Sequence, residues 1–163
     1  MNRNKVTAML LIILLLLFFL PIQPVGAEEN TVYATEDDID LLAKLIYVEA
    51  RGVGSVTEQA AVAWCVLNRV DSSRFPNSIS AVIKQPHQFA STDGAPVTER
   101  FKAIAADVVM RWQLERLGIG ESGRVLPKNY LFFAGRDGHN WFRTEYRGGG
   151  YWDWTMGSPY EEV

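Results

Sequence analysis

The chain has 163 residues, 48% of them hydrophobic and 21% charged, with a net charge of −3, one cysteine and two histidines. A mildly acidic chain without a basic run lacks the electrostatic footprint of a nucleic-acid binder, and a single cysteine rules out an internal disulfide, so stability must come from packing. Two histidines and one cysteine without ligand spacing give no expectation of a metal site or other cofactor.

The first elements concern export. Arg3 and Lys5 precede an unbroken apolar run, Ala8 to Leu20, which Pro21 and Pro24 end before the small residues Val25-Gly26-Ala27. That order predicts a signal peptide over 1–27, cut before Glu28, and hence contact with the membrane only in transit. The rival, a retained anchor, needs about 17 to 25 apolar residues and flanking stop-transfer charges. Residues 28–36 read as a short leader and 37–163 as one domain.

Within that domain Thr35 opens a helix whose apolar positions, Ile39, Leu42, Leu45 and Ile46, follow helical spacing. Gly52 and Gly54 stop it. Ser55 and Glu58 have the spacing of a capping box for a second helix to about Val70, whose middle is apolar on all sides and belongs at the centre of the fold. Phe75-Pro76-Asn77 is a turn, Ser78 to about Gln85 a short helix that Pro86 ends, and Ser91 to Gly94 a polar loop. A third long helix runs from about Glu99 to Leu117, with the stripe Phe101, Ile104, Ala105, Val108 and Trp112. Strand texture follows in Asn129–Ala134 and Asn140–Thr144, separated by Gly135–His139 with a hairpin signal at Asp137-Gly138. Helices first and a hairpin last predict an α+β domain.

Glu49 is the residue placed for chemistry. Three, four and seven residues before it stand Ile46, Leu45 and Leu42, so its carboxylate falls on the apolar side of the helix. Burial and the partial negative charge of the helix end both favour the neutral acid that a general acid must be. The structural alternative is an ion pair with Arg51, Arg69 or Arg111. Asp71, Asp93, Glu99, Asp137 and Asp153 lack a comparable apolar setting and read as solvated side chains. Cys65, within an apolar run, reads as a buried inert thiol. The aromatic C-terminal part, including Tyr130, Phe133 and Trp141, can stack on sugar faces as readily as build a hairpin core. Alternation along the strand implies that Phe132 and Phe133 are not both core. Asn68 and Gln88 can bond hydroxyls and acetamides, or cap turns.

The words Tyr47-Val48-Glu49-Ala50-Arg51-Gly52, Gln59-Ala60-Ala61-Val62-Ala63 and Val66-Leu67-Asn68-Arg69-Val70 resemble the spore-cortex-lytic cell-wall hydrolase family. Phe75-Pro76-Asn77-Ser78-Ile79, Gln88-Phe89 and the aromatic hairpin continue the resemblance, from about Asp38 to Trp154. It implies a lysozyme-like fold with a helical core and a C-terminal β-hairpin. It also implies a lytic transglycosylase that cuts the N-acetylmuramic acid–N-acetylglucosamine β-1,4 bond, with Glu49 as the acid. Substrate contacts are then expected from Asn68, Gln88, Phe89, Tyr130, Phe133 and Trp141, and the place of action is the cell wall or spore cortex. Val53 stands where members of the family often carry a second glutamate, the loop before Gln59 is one residue longer, and the family's separate peptidoglycan-binding module is absent from this sequence. The alternatives are a hydrolytic muramidase, an N-acetylmuramoyl-L-alanine amidase, or a non-catalytic peptidoglycan-binding protein.

Overall fold

A computed structural model describes residues 33–120 and 122–152 of the chain. The expected signal peptide, most of the leader, and Asp153 and Trp154 of the tail lie outside those residues.

Among the described residues four helices precede a two-stranded antiparallel sheet, an α+β architecture with a C-terminal hairpin. Helix α1 spans Glu36–Ala50. The Thr35 hydroxyl accepts from the Asp38 amide and the Asp38 carboxylate accepts from the Thr35 amide, so two otherwise unpartnered N–H groups are satisfied at once. Helix α2, Val56–Asp71, begins at Ser55, whose hydroxyl accepts from the Glu58 amide at 3.2 Å. Only that half of the expected capping box forms, because the Glu58 carboxylate turns away toward the hairpin. Helices α3, Ile79–Ile83, and α4, Glu99–Arg116, start at Ser78 and Thr98 with hydroxyl caps of the same kind.

Every residue of α2 from Thr57 to Val70 is buried. A helix apolar on all sides has no solvent face to offer, so α1, α3 and α4 close around it. The expected α4 stripe, Phe101, Ile104, Ala105, Val108 and Trp112, is buried throughout. Trp64 and Trp112 are essentially sealed from solvent, and burying a large apolar side chain contributes about 1.5–3 kcal/mol. The Trp112 indole N–H donates to Asp71 at 2.9 Å, joining the ends of α2 and α4.

Strands β1, Phe132–Arg136, and β2, His139–Arg143, pair with Phe133 opposite Phe142 and Gly135 opposite Asn140. The turn is tighter than the five-residue separation read from the sequence. Asp137 and Gly138 alone form it, at φ 54° and 80°, as a two-residue hairpin turn requires. The strand expected from Asn129 begins later, because the Tyr130 amide is bonded to the Pro127 carbonyl in a preceding turn. Phe132 and Phe133 do face opposite sides, yet both are covered. Phe132 is buried against Phe75 and Tyr146, and half-buried Phe133 meets Phe89 and Phe142.

Candidate functional site

Glu49 lies in the last turn of α1, half-buried and not sealed. Its Oε1 accepts from the Ala90 amide at 2.6 Å. None of the three arginines weighed as alternative partners forms an ion pair with it. Arg51 lies over the Tyr47 ring, Arg111 pairs with Asp107, and Arg69 is buried elsewhere. The carboxylate is therefore oriented by a loop amide, which fixes its direction without capping it with a cation.

Around it opens a cavity of about 370 Å³, bounded by Glu49, Gly52 and Val53 at the end of α1 and by the hairpin from Gly135 to Asn140. The cavity lies between the α1 end and the hairpin, and the turn lines it more than the aromatic strands do. Val53 borders it, so the position where an acid was expected by resemblance faces the same space. Asp137 also borders it, exposed and paired with Arg136 at 2.9 Å. Asp71 accepts from Trp112 and Asp93 from Ser91, so those carboxylates serve local structure.

Three devices hold the cavity walls. First, Gln59 of α2 donates to the Val53 carbonyl at 2.6 Å and accepts from Arg100 at 3.1 Å, which pins the α1–α2 connection. Second, Arg69 of α2 donates from Nε to the Leu131 carbonyl at 2.6 Å and from Nη1 to Gln88 Oε1 at 3.1 Å. Its guanidinium lies over Phe75, Phe89 and Phe132 at 4.8, 4.7 and 5.4 Å. Burial pulls this guanidinium below its ordinary pKa, opposed by the neighbouring Cys65 thiol. Burial likewise pushes Cys65 up to about 12, only partly offset by Arg69, so the thiol is inert as expected. Arg69 thus carries the Gln88–Phe89 segment, and with it the Ala90 amide that holds Glu49. Third, Glu58 is fully buried, accepts from the Asn140 amide, and meets His139 Nδ1 at 3.0 Å. Asn140 then donates from its side chain to the Glu49 carbonyl at 3.1 Å.

The expected substrate contacts divide accordingly. Phe89, Phe133 and Gln88 cluster beside Ala90, with Phe89 and Phe133 ring centroids 5.9 Å apart and Gln88 exposed. Asn68 is buried, donating to the Pro127 and Tyr130 carbonyls at 2.8 and 2.9 Å and accepting from Arg124. Its amide is committed to the fold, which places Asn68 among the supports and away from the cavity. The Tyr130 hydroxyl donates to the Tyr151 carbonyl at 3.0 Å. Trp141 alternates to the other hairpin face, where with Ala134, Arg136, Arg143 and Tyr151 it lines a second groove of about 370 Å³. Glu58, Gln59, Arg69, His139 and Asn140 were not singled out as site residues. The available signal was a set of polar residues within an otherwise apolar helix, since a buried polar group needs a partner. Among the described residues no group of three or more His, Cys, Asp or Glu is placed to hold a metal ion.

Residues 54–148 match the family model described as Cell Wall Hydrolase, more than half of the chain, and Glu49 stands just ahead of the matched stretch. Proteins named spore cortex-lytic enzyme are similar over part of the chain. That of Bacillus cereus is 35% identical over 82 residues, covering 48% of this chain and 31% of the relative. That of Oceanobacillus iheyensis is 44% identical over 82 residues, 48% of this chain and 29% of the relative. That of Bacillus subtilis strain 168 is 46% identical over 76 residues, 47% of this chain and 25% of the relative. The chain thus spans under a third of the length of these relatives. No solved structure matches it. The matched stretch takes in α2 with Gln59 and Arg69, the Gln88–Phe89 loop and the hairpin, and on that match the chain belongs to the cell wall hydrolase family.

Proposed function

We propose that this domain cleaves the glycan strands of peptidoglycan as a lytic transglycosylase, at the N-acetylmuramic acid–N-acetylglucosamine β-1,4 bond, with Glu49 as acid and then base. The observation that carries the reading is the placement of Glu49: a half-buried carboxyl group, oriented by the Ala90 amide, on a cavity between α1 and the hairpin of a cell wall hydrolase domain. Protonated Glu49 gives its proton to the glycosidic oxygen as the bond from that oxygen to the muramic C1 breaks. The muramic 6-hydroxyl oxygen then bonds to C1, and its proton passes to the Glu49 carboxylate, which restores the acid. Because the nucleophile belongs to the same sugar, proximity replaces a second catalytic group. Phe89, Phe133 and Gln88 are the groups proposed to contact the glycan on one side of the acid. The export signal expected over 1–27 supports action outside the cell, in the wall or spore cortex.

Mass spectrometry of fragments released from purified peptidoglycan tests the reaction. The expected products end in 1,6-anhydromuramic acid, lighter by one water than hydrolytic ends. Glu49→Gln is expected to lower cleavage by on the order of 10²- to 10⁴-fold, the usual worth of a positioned acid, with unchanged melting temperature and wall binding. A folded, fully active Glu49→Gln protein removes Glu49 from the mechanism. A second reading, a hydrolytic muramidase, draws support from Asp137, which borders the same cavity and is a carboxylate able to activate water. Its products would end in reducing muramic acid. Freed peptides would point instead to an amidase.

A further inference from the structure

A fully buried carboxylate, an imidazole and a side-chain amide form one chain of contacts that ends on the backbone of Glu49. Glu58 is sealed from solvent, and both its oxygens face β2: one accepts from the Asn140 amide, the other lies 3.0 Å from His139 Nδ1. Asn140, itself buried, reaches the Glu49 carbonyl. His139 sits at the other extreme of exposure, its side chain 56% accessible, and it borders the cavity that Glu49 borders. An α2 start needs no such acid. A glutamate at this position ordinarily closes its own capping box at the helix surface, and here it is withdrawn into the interior to hold a ring at the edge of a cleft.

We infer that His139 is a substrate-contacting residue of the Glu49 cavity, bonded through its ring to a sugar hydroxyl, with Glu58 as the positioning residue that sets its tautomer and direction. The chemistry follows from the carboxylate. With a Glu58 oxygen accepting from Nδ1–H, that nitrogen is fixed toward α2 and the opposite edge of the ring is turned to the cavity that His139 borders. A carboxylate behind an imidazole fixes tautomer and orientation in the same way in other hydrolytic sites. In the transglycosylase reading the hydroxyl held is one of the muramic sugar, and His139 orders the sugar while Glu49 moves the protons. The inference rests on the Glu49 cavity being the reaction site.

The experiment uses the full chain with purified peptidoglycan and compares His139→Ala, Glu58→Gln, the double variant and Glu49→Gln. His139→Ala is expected to lower kcat/KM roughly tenfold or more, with a modest fall in melting temperature because one oxygen of buried Glu58 loses a partner while the other keeps the Asn140 amide. Glutamine offers one acceptor oxygen where the acid offers two. Glu58→Gln therefore cannot serve both the Asn140 amide and Nδ1–H, and its own N–H group moves the ring proton to Nε2. Its loss should match that of His139→Ala, and the double variant should be no worse than His139→Ala alone. Nitrogen-15 spectra of the imidazole should report protonated Nδ1 in the wild type and a shifted tautomer in Glu58→Gln. A His139→Ala protein with wild-type kcat/KM overturns the inference while leaving the Glu49 mechanism intact. So does a His139→Ala activity loss no larger than the fraction of the variant that is unfolded at the assay temperature. Should Glu58→Gln fail to fold, His139→Ala and the wild-type tautomer still decide the matter. A fully active Glu49→Gln protein overturns both readings, and is recognised independently of His139.

Discussion

At the scale of single residues, Glu49 is held by direction more than by enclosure. Its carboxylate is half-buried and oriented by one loop amide, so its environment depends on the Gln88–Phe89 loop staying in place. Asp137 shares the cavity but sits on the turn with its charge matched by Arg136. Asp137→Asn is therefore expected to retain cleavage within about twofold, since exposed ion pairs contribute little. Rates of dye release from labelled cell walls would measure this. A loss comparable to that of Glu49→Gln would favour the muramidase. Cys65 makes a separate residue-scale test. With its thiol pushed up to about 12 by burial, the native protein should leave it unmodified by thiol reagents at pH 8, and full reaction should follow only after denaturation.

At the scale of elements, α2 acts as the frame for the elements that border the cavity. Gln59 pins the end of α1, Glu58 the start of β2, and Arg69 both β1 and the loop that holds Glu49. Among the described residues no carboxylate pairs with Arg69. Its charge is met by three aromatic faces, a carbonyl and an amide oxygen, with the adjacent Cys65 thiol as a further contact. Arg69→Ala should cost about 3 kcal/mol, from lost cation–π contacts and a charge-assisted hydrogen bond, and should lower activity beyond the stability loss by releasing the Ala90 amide. Urea unfolding beside cleavage assays would read both effects. Arg69→Lys should rescue little, because an ammonium cannot lie flat between rings while serving two acceptors.

For the whole molecule, stability depends on a second polar tie remote from the cavity. Glu115 of α4 accepts from Arg124 at 2.9 Å and pairs with Lys128 at 2.6 Å, and Arg124 continues to Asn68 of α2. Burial alone would raise the Glu115 pKa, but the bonds from Lys128 and Arg124 outweigh it and hold the carboxyl below the ordinary carboxylate range. A depressed acid stabilises the fold above its unfolded value, near 4.3, and that contribution is lost as pH falls through the lower folded value. Glu115→Gln should therefore lower the melting temperature at pH 7 and converge with the wild type as pH falls below the ordinary carboxylate range, followed by circular dichroism. Metal dependence is a further property of the whole. Activity on cell walls is expected to survive dialysis against EDTA, and a loss restored by zinc would revive the amidase alternative.

The sequence by itself determined the helices, the hydroxyl caps at Thr35 and Ser55, the central position of α2 and the Asp137-Gly138 turn. Each depends on near neighbours: a hydroxyl before a helix, an apolar repeat, or Asp-Gly between strands. It also singled out Glu49, because a carboxylate in line with an apolar stripe is legible from spacing alone. Tertiary structure alone decided which polar residues support the site and which face it. Asn68 carries groups suited to sugars, and the fold uses them on the Pro127 and Tyr130 carbonyls. Glu58 had the spacing of a capping residue, and the hairpin claimed its carboxylate across 82 positions of sequence. Such partners are chosen by desolvation: once α2 is buried, every polar atom on it must be satisfied by whatever the rest of the chain brings against it. Local spacing carries no information about what that will be.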